Sequence, residues 1–249
     1  MELYENERID EVNDSLSLIQ KTDGLTFGTD ALLLSGYIRG KYKLGAELGG
    51  GSGIISMLLL TREKISECTA YEIQKEYAEL IDRNAEYNNL RERLTAIGAD
   101  IRDLTPCEKF DIVFTNPPYM KSDGGANNRT DKKAIARHEI CGTVSDFCAA
   151  AKKLLKYGGA FYAVYRPDRL ADIISAMKGA ELEPKRMTFV HADSKSEASM
   201  VLIEAKRGGK SGLQLTRPLI LYCDSTHKSY SADMDYIMQN GEFPSDYKR

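Results

Sequence analysis

One segment constrains the fold more than any other: Leu44-Gly45-Ala46-Glu47-Leu48-Gly49-Gly50-Gly51-Ser52-Gly53. Strand-like apolar residues run into an acid and then into four glycines within five positions, and a helical pattern follows from Ile54 to about Arg62. Glycine reaches backbone conformations closed to other residues, so this loop can turn sharply and let a ligand approach bare backbone. The start of the following helix offers N–H groups with no partner inside the helix. Strand, glycine turn and helix in that order make the first unit of an α/β sheet that binds ligands at its strand ends. The spacing ExGxGxG differs from the GxGxxG of dinucleotide enzymes.

The rest of the chain repeats the alternation. The pattern predicts strands over 16–19, 44–48, 68–71, 94–97, 110–115 and 160–165, with two closing strands over 188–191 and 199–205. Helices are expected over 29–38, capped by Thr29 or Asp30, then over 54–62, 75–89, 144–155 and 170–177, with Gly158-Gly159 stopping the fourth. Strands separated by helical stretches of this length argue for a doubly wound, mainly parallel α/β sheet. With 249 residues the chain is expected to form one domain over 1–249, with a short N-terminal extension over about 1–40 and a polar tail over about 224–249. The tail shows only a weak helical signal over 234–238.

Three acids close successive strands on one rim of such a sheet. Glu47 ends the first and can accept a hydrogen bond from a cationic amine. Glu72 ends the second, roughly 20 residues past the glycine loop, where a carboxylate can accept from both hydroxyls of a ribose. Asp100 follows the third and can accept from an amino group on a base. A helix cap explains Glu72 alone and a turn explains Asp100 alone, so their joint placement carries the argument.

The most specific motif follows a buried strand, Phe110 to Thr115: Asn116-Pro117-Pro118-Tyr119. Two prolines remove two N–H donors and stiffen the loop. The side-chain oxygen of Asn116 and the carbonyl of Pro117 can then face the two hydrogens of one NH₂ group. Tyr119 offers a flat face for a planar base or amide.

These elements resemble the class I S-adenosylmethionine methyltransferases that modify nitrogen. Within them, three further stretches resemble the bacterial tRNA (adenine-N6)-methyltransferases acting on valine tRNA: Gly24-Leu25-Thr26-Phe27-Gly28-Thr29-Asp30, Ala136-Arg137-His138-Glu139 and Arg217-Pro218-Leu219-Ile220-Leu221-Tyr222. The resemblance runs from about residue 16 to 222. It implies a Rossmann-like, doubly wound, seven-stranded sheet, mainly parallel with an antiparallel last strand. It also implies S-adenosylmethionine as cofactor, held by Glu47, Gly49, Gly51, Gly53, Glu72, Asp100 and Asn116, with Asp30 and Phe27 at the methionine end. Asn116, Pro117, Pro118 and Tyr119 would form the amine site. A protein-glutamine methyltransferase shares the last motif but usually carries a larger helical region ahead of the glycine loop, where this chain has about forty-six residues. A cofactor-binding RNA module without catalysis is the alternative from another class, and the intact motif speaks against it.

Charge is compatible with a tRNA partner only through local patches, because the formal net charge is −3. Two patches stand out: Lys121, Arg129, Lys132, Lys133 and Arg137 after the proline motif, and Lys206, Arg207, Lys210 and Arg217 near the end. Either a phosphate contact or an ordinary solvated surface fits such runs. The three histidines and five cysteines form no HExxH and no CxxC, so no metal site is expected. No apolar stretch approaches the ~20 residues of a membrane helix, and the N-terminus lacks a signal-peptide pattern, so a cytoplasmic location is expected.

Overall fold

The computed structural model describes residues 3–22, 24, 27–117 and 142–248. The chain opens with a hairpin of β1 (Glu7–Asn13) and β2 (Leu16–Lys21), followed by α1 (Thr29–Tyr37). Then come β3 (Tyr42–Leu48), α2 (Ile54–Thr61), β4 (Ile65–Glu72), α3 (Lys75–Tyr87), β5 (Leu94–Gly98) and β6 (Phe110–Thr115). The second half holds α4 (Val144–Leu154), β7 (Leu155–Tyr165), α5 (Leu170–Gly179), β8 (Leu182–His191) and β9 (Ala198–Arg207). Two-residue strands β10 (Gln214–Leu215) and β11 (Leu219–Ile220) and the helix α6 (Ala232–Asn240) complete it.

The large sheet runs in the order β10-β8-β9-β7-β6-β3-β4-β5, with β11 also beside β8. Every pairing is parallel except those of β9, which runs against β7 and β8. The doubly wound sheet and its antiparallel late strand are as expected. Among the described residues the sheet has nine strands rather than seven, because β10 and β11 extend it.

Period-two alternation assigns side chains to two cores, as a sheet covered on both faces requires. Ile112, Phe114, Tyr162, Val164 and Leu202 face α1, α2 and α3. Ala46, Leu48, Val113, Phe161, Ala163, Val201 and Ile203 face α4 and α5. The same alternation turns Glu47 away from Ala46 and Leu48 and toward α2.

Three local expectations need correction. The N-cap of α1 is Gly28, without a side-chain cap, and Asp30 lies inside the first turn. The fourth helix ends at Leu154, and Gly158-Gly159 lie inside β7, where Gly158 takes φ +80° and the register shifts against β6. Residues 7–13, read only as part of the N-terminal extension, form β1. The hairpin is held by two amides one turn apart on α3, with Asn84 pairing with Ile19 N and O, and Asn88 with Ser17 N and O.

The C-terminal segment packs against the body of the protein. Ile237, Phe243 and Tyr247 are buried in the core on the α1 side, and Gly36 leaves room for them: a Cβ there would sit 3.3 Å from Ile237. Each such side chain contributes roughly 1.5–3 kcal/mol of apolar burial. Arg186, itself fully buried, donates to Glu204, Tyr37 O and Tyr247 O, and so ties β8, α1 and the tail together.

Candidate functional site

The parallel strands deliver their C-terminal ends to one rim, and the predicted ligand residues gather there because of it. Gly49 N and Gly50 N both donate to Tyr71 O at 2.9 and 3.1 Å, which folds the glycine loop over the end of β4. Gly49, Gly51 and Gly53 all adopt left-handed backbone, with φ of +72°, +54° and +83°. Their reasons differ. A Cβ on Gly53 would press on Ile81 at 3.1 Å, whereas a Cβ on Gly51 would meet nothing within 4 Å. Gly51 therefore faces open space. Gly50 was not among the predicted ligand residues; a Cβ there would stand 2.8 Å from Ile81 Cδ1, so a larger residue would make Ile81 shift.

Glu72 is buried at the tip of β4, accepting from Gly51 N at 3.0 Å and Gln74 N at 2.9 Å. Its carboxylate thus touches the glycine loop. Asp100 caps a short 3₁₀ turn by accepting from Arg102 N at 2.9 Å, and the Arg102 guanidinium grips both of its oxygens. That contact holds the Asp100 carboxyl below the usual carboxylate range. Arg102 was missed in the sequence because a basic residue two positions from an acid is common on any surface.

Glu47 lies under the loop, fully buried, and accepts from Ser56 N at 3.2 Å and from Ser56 Oγ on α2. Burial pushes its carboxyl up to about 8, with the neighbouring Glu72 adding to the rise. A carboxyl group without a cationic partner is more stable neutral in such surroundings.

Asn116, at the end of β6, donates through Nδ2 to Asp30 Oδ2 at 2.7 Å. Asp30 Oδ1 accepts from Ala31 N at 2.9 Å, so the first turn of α1 fixes the carboxylate. Gly28 makes this possible, since a Cβ there would lie 2.8 Å from Asp30 Oδ1. A carboxylate only accepts, which settles the orientation of the Asn116 amide: NH₂ toward Asp30, carbonyl oxygen on the other side. Phe27 N donates to Gln20 Oε1 at 2.8 Å, and its ring packs at the edge of the core. Pro117 is buried beside Asn116. Pro118, Tyr119, Lys121, Arg129, Lys132, Lys133 and Arg137 lie outside the described residues.

The second basic patch sits elsewhere. Because β9 is antiparallel, its end lies at the opposite rim: Lys206 pairs with Ala160, at the level of Ile112. That is about 13 Å down the strands from Asn116, at roughly 3.3 Å per residue. Lys206 and Lys210 are exposed there, while Arg207 donates to Leu155 O and Glu108. Arg217 is not with them: it pairs with Asp233 and Asp246 and lies 4.2 Å over the Tyr247 ring. Among the described residues no group of three or more His, Cys, Asp or Glu side chains could hold a metal ion, and no helix is long and apolar enough to cross a membrane.

Residues 21–179, more than half of the chain, match the family described as the methyltransferase small domain. The chain belongs to that family. Around this methyltransferase core, relatives match over longer spans. A tRNA1(Val) (adenine(37)-N6)-methyltransferase of Flavobacterium johnsoniae is 24% identical over 209 residues, covering 82% of this chain and 88% of its own. One of Porphyromonas gingivalis bearing the same name is 28% identical over 188 residues, covering 71% and 72%. Among solved structures, a predicted O-methyltransferase of Agrobacterium tumefaciens superposes with a TM-score of 0.70 at 26% identity, covering 86% of this methyltransferase and 97% of that chain.

Proposed function

We propose that the chain transfers a methyl group from S-adenosylmethionine to the N6 amine of an adenosine in tRNA. The observation that carries this reading is the Asn116–Asp30 contact, which aims an amide oxygen from the end of β6 beside the glycine loop. An oxygen fixed in that way accepts one hydrogen of an NH₂ group, and the Pro117 carbonyl is suited to the other. The relatives' named activity supplies the acceptor, an adenine of valine tRNA.

The rim fits the cofactor. Gly51 presents bare backbone to open space, and Glu72 lies against it as an acceptor for ribose hydroxyls. Gly49 and Gly53 shape the loop, Asp100 is the candidate acceptor for the adenine amino group and Phe27 the candidate for the methionine end, while Glu47, sealed under the loop against Ser56, supports the loop from behind. When bound, S-adenosylmethionine supplies a methyl group already activated by its sulfonium. The chain therefore needs no nucleophile of its own. Asn116 Oδ1 orients the amine nitrogen so that its lone pair faces the incoming carbon. The same oxygen stabilises positive charge as it builds on that nitrogen. Asp30 is a positioning residue, since it acts through Asn116. The spare proton on the amine leaves to solvent.

The tRNA is gripped outside this centre. Lys121, Arg129, Lys132, Lys133 and Arg137 follow Pro117 in the sequence and are candidates for phosphate near the target base. Lys206 and Lys210, on the far rim, would reach the body of the tRNA. Arg207 and Arg217 already hold acids and are the weaker candidates. Binding that depends on such contacts falls steeply with salt. With tRNA as substrate the expected location is the cytoplasm.

Mass spectrometry of nucleosides from tRNA incubated with the protein and cofactor tests the reading, with N6-methyladenosine as the expected product. Asn116→Ala should lower turnover roughly 10²–10³-fold and leave cofactor affinity within about twofold. Methylglutamine on a protein with no modified nucleoside would move the activity to the glutamine methyltransferases. Cofactor and RNA binding without turnover would leave a binding module.

A further inference from the structure

The outer end of the same rim carries a second constructed feature that the methyl-transfer geometry does not use. After β11 the chain turns back on itself: Tyr222 bridges Tyr230, and Cys223 N donates to Ser229 O. Within this turn the Tyr222 ring stacks nearly parallel with His227 at 4.7 Å and with Tyr230 at 5.2 Å between centroids. Tyr230 is 40% exposed and the His227 side chain 44%. Three aromatic rings therefore lie in a stack that solvent reaches.

The chain holds this arrangement against its own backbone preference. His227 adopts φ +54° after the turn from Asp224, a position that glycine usually fills. Among the other non-glycine residues with positive φ, Glu63, Asn89 and Glu181 each follow a helix end, where that conformation closes the helix, and Glu108 lies in the loop before β6. His227 closes no helix. Its ring is fixed instead by Asp193, whose Oδ2 lies 3.0 Å from Nε2. Asp193 is buried and also accepts from Lys195 N, Ser196 N and Ser196 Oγ. A left-handed histidine whose ring is held by a buried carboxylate is an outlier from which a functional role can be inferred and tested.

We infer that the Tyr222–His227–Tyr230 stack is a platform on which an unpaired base of the tRNA stacks while another base occupies the Asn116 site. This rests on the tRNA reading above. The platform is on the productive rim: Tyr222 N donates to Ala192 O, just past the end of β8. Three to four strand spacings separate β6 from β8 and β11, and Ala192 lies four residues beyond the level of Asn116, which together put the platform roughly 19–23 Å from Asn116. Exposed Lys228 follows His227, and exposed Lys195 lies in the loop that holds it, so cations for the flanking phosphates are at hand. Every base has a π face, and stacking on aromatic side chains is how unpaired nucleotides are commonly held.

His227→Gly removes one ring while giving the backbone its preferred residue, Tyr230→Ala removes another, and Tyr230→Phe keeps the ring. With the full chain, S-adenosylmethionine and transcribed tRNA, the first two should raise the tRNA KM roughly 5- to 100-fold. At saturating tRNA their kcat should stay within about twofold of wild type, as should cofactor Kd, and Tyr230→Phe should match wild type throughout. An unchanged KM in both ring-deleting variants, with wild type methylating tRNA, overturns the platform and leaves the proposed function standing. A wild type that does not methylate tRNA overturns both. Photocrosslinking of 4-thiouridine-substituted tRNA to the unaltered chain reads the contact without any substitution: crosslinks within 222–230 support the platform, and crosslinked peptides that exclude it overturn it.

Discussion

Two turns on one rim enter the left-handed backbone region and fill it differently. The inner turn, between β3 and α2, uses Gly49, Gly51 and Gly53. The outer turn, past β11, uses His227. Where the chain needs bare backbone it deletes the side chain and accepts a more flexible unfolded state. Where it needs a ring it keeps the side chain and accepts strain of roughly 1–3 kcal/mol. The difference teaches that the inner turn is shaped to be filled by something else, whereas the outer turn supplies a surface of its own. Each half can be tested for the form its strain takes.

The largest expected effect belongs to the inner half. Glu47 is held neutral under the glycine loop, with its carboxyl raised from 4.5 to about 8. Between those values the folded chain keeps a proton that the unfolded chain has lost. The associated stability is full below about pH 4.5, declines as pH rises and is gone above about 8, a change on the order of 4–5 kcal/mol. Acids with lowered values, such as Asp233 beside Arg217, lose their contribution only as pH falls through the acid range, and leave this window clear. Thermal melts at pH 5, 6.5 and 8 should show the decline, and Glu47→Gln should flatten it. A wild-type melting point that is level from pH 5 to 8 would mean that Glu47 is ionised in the folded protein.

Next in size is the amide that ties the inner turn to the hairpin. Asn84 is fully buried and serves Ile19 N, Ile19 O and Ser52 O at 2.7, 3.1 and 3.0 Å. Asn84→Ala leaves those groups without it and should cost about 2–4 kcal/mol in denaturant melts. A loss under 1 kcal/mol would show that water replaces the amide and that the glycine loop does not lean on α3.

The glycines themselves should separate by what stands beside them. Gly51→Ala adds a methyl to open space and a left-handed strain of about 1–2 kcal/mol. Its main effect should be on cofactor affinity, with a loss of at least about tenfold in calorimetry. Gly53→Ala carries the same strain and also presses on Ile81, so it should lower the melting point further than Gly51→Ala does. Equal cofactor affinity for Gly51→Ala and wild type would remove Gly51 from the cofactor side.

The inner half was legible in the sequence because its needs are local. Glycine spacing, an acid at a strand end and a strand running into two prolines are each written within a few residues, and the parallel topology brings them to one rim. The Asp30–Asn116 contact joins residues 86 apart and left no local mark beyond the small Gly28. The far-rim position of Lys206 follows from strand direction: an antiparallel β9 carries its last residues away from the site, although a run of charges looks the same either way. The tail reads as polar since its apolar residues are few, yet Met234, Ile237, Phe243 and Tyr247 all bury. Nothing in the composition marks the ring stack, because Tyr222, His227 and Tyr230 are brought together by a turn and by Asp193, more than 25 residues upstream.

The smallest effect is the one that best sharpens the contrast between the turns. His227→Gly should change stability by no more than about 1.5 kcal/mol. Relief of the left-handed backbone gains roughly 1 kcal/mol. Loss of the stack on Tyr222 gives back about 0.5–1.5 kcal/mol. The half-exposed contact with Asp193 adds at most about 1 kcal/mol to the loss. Asp193 is not stranded by the change, since Lys195 N, Ser196 N and Ser196 Oγ still donate to it. Chemical denaturation of the variant at neutral pH measures the balance. A loss of 3 kcal/mol or more would make the histidine ring a structural staple of the turn, and the outer half of the rim would then differ from the glycine loop only in how it is built.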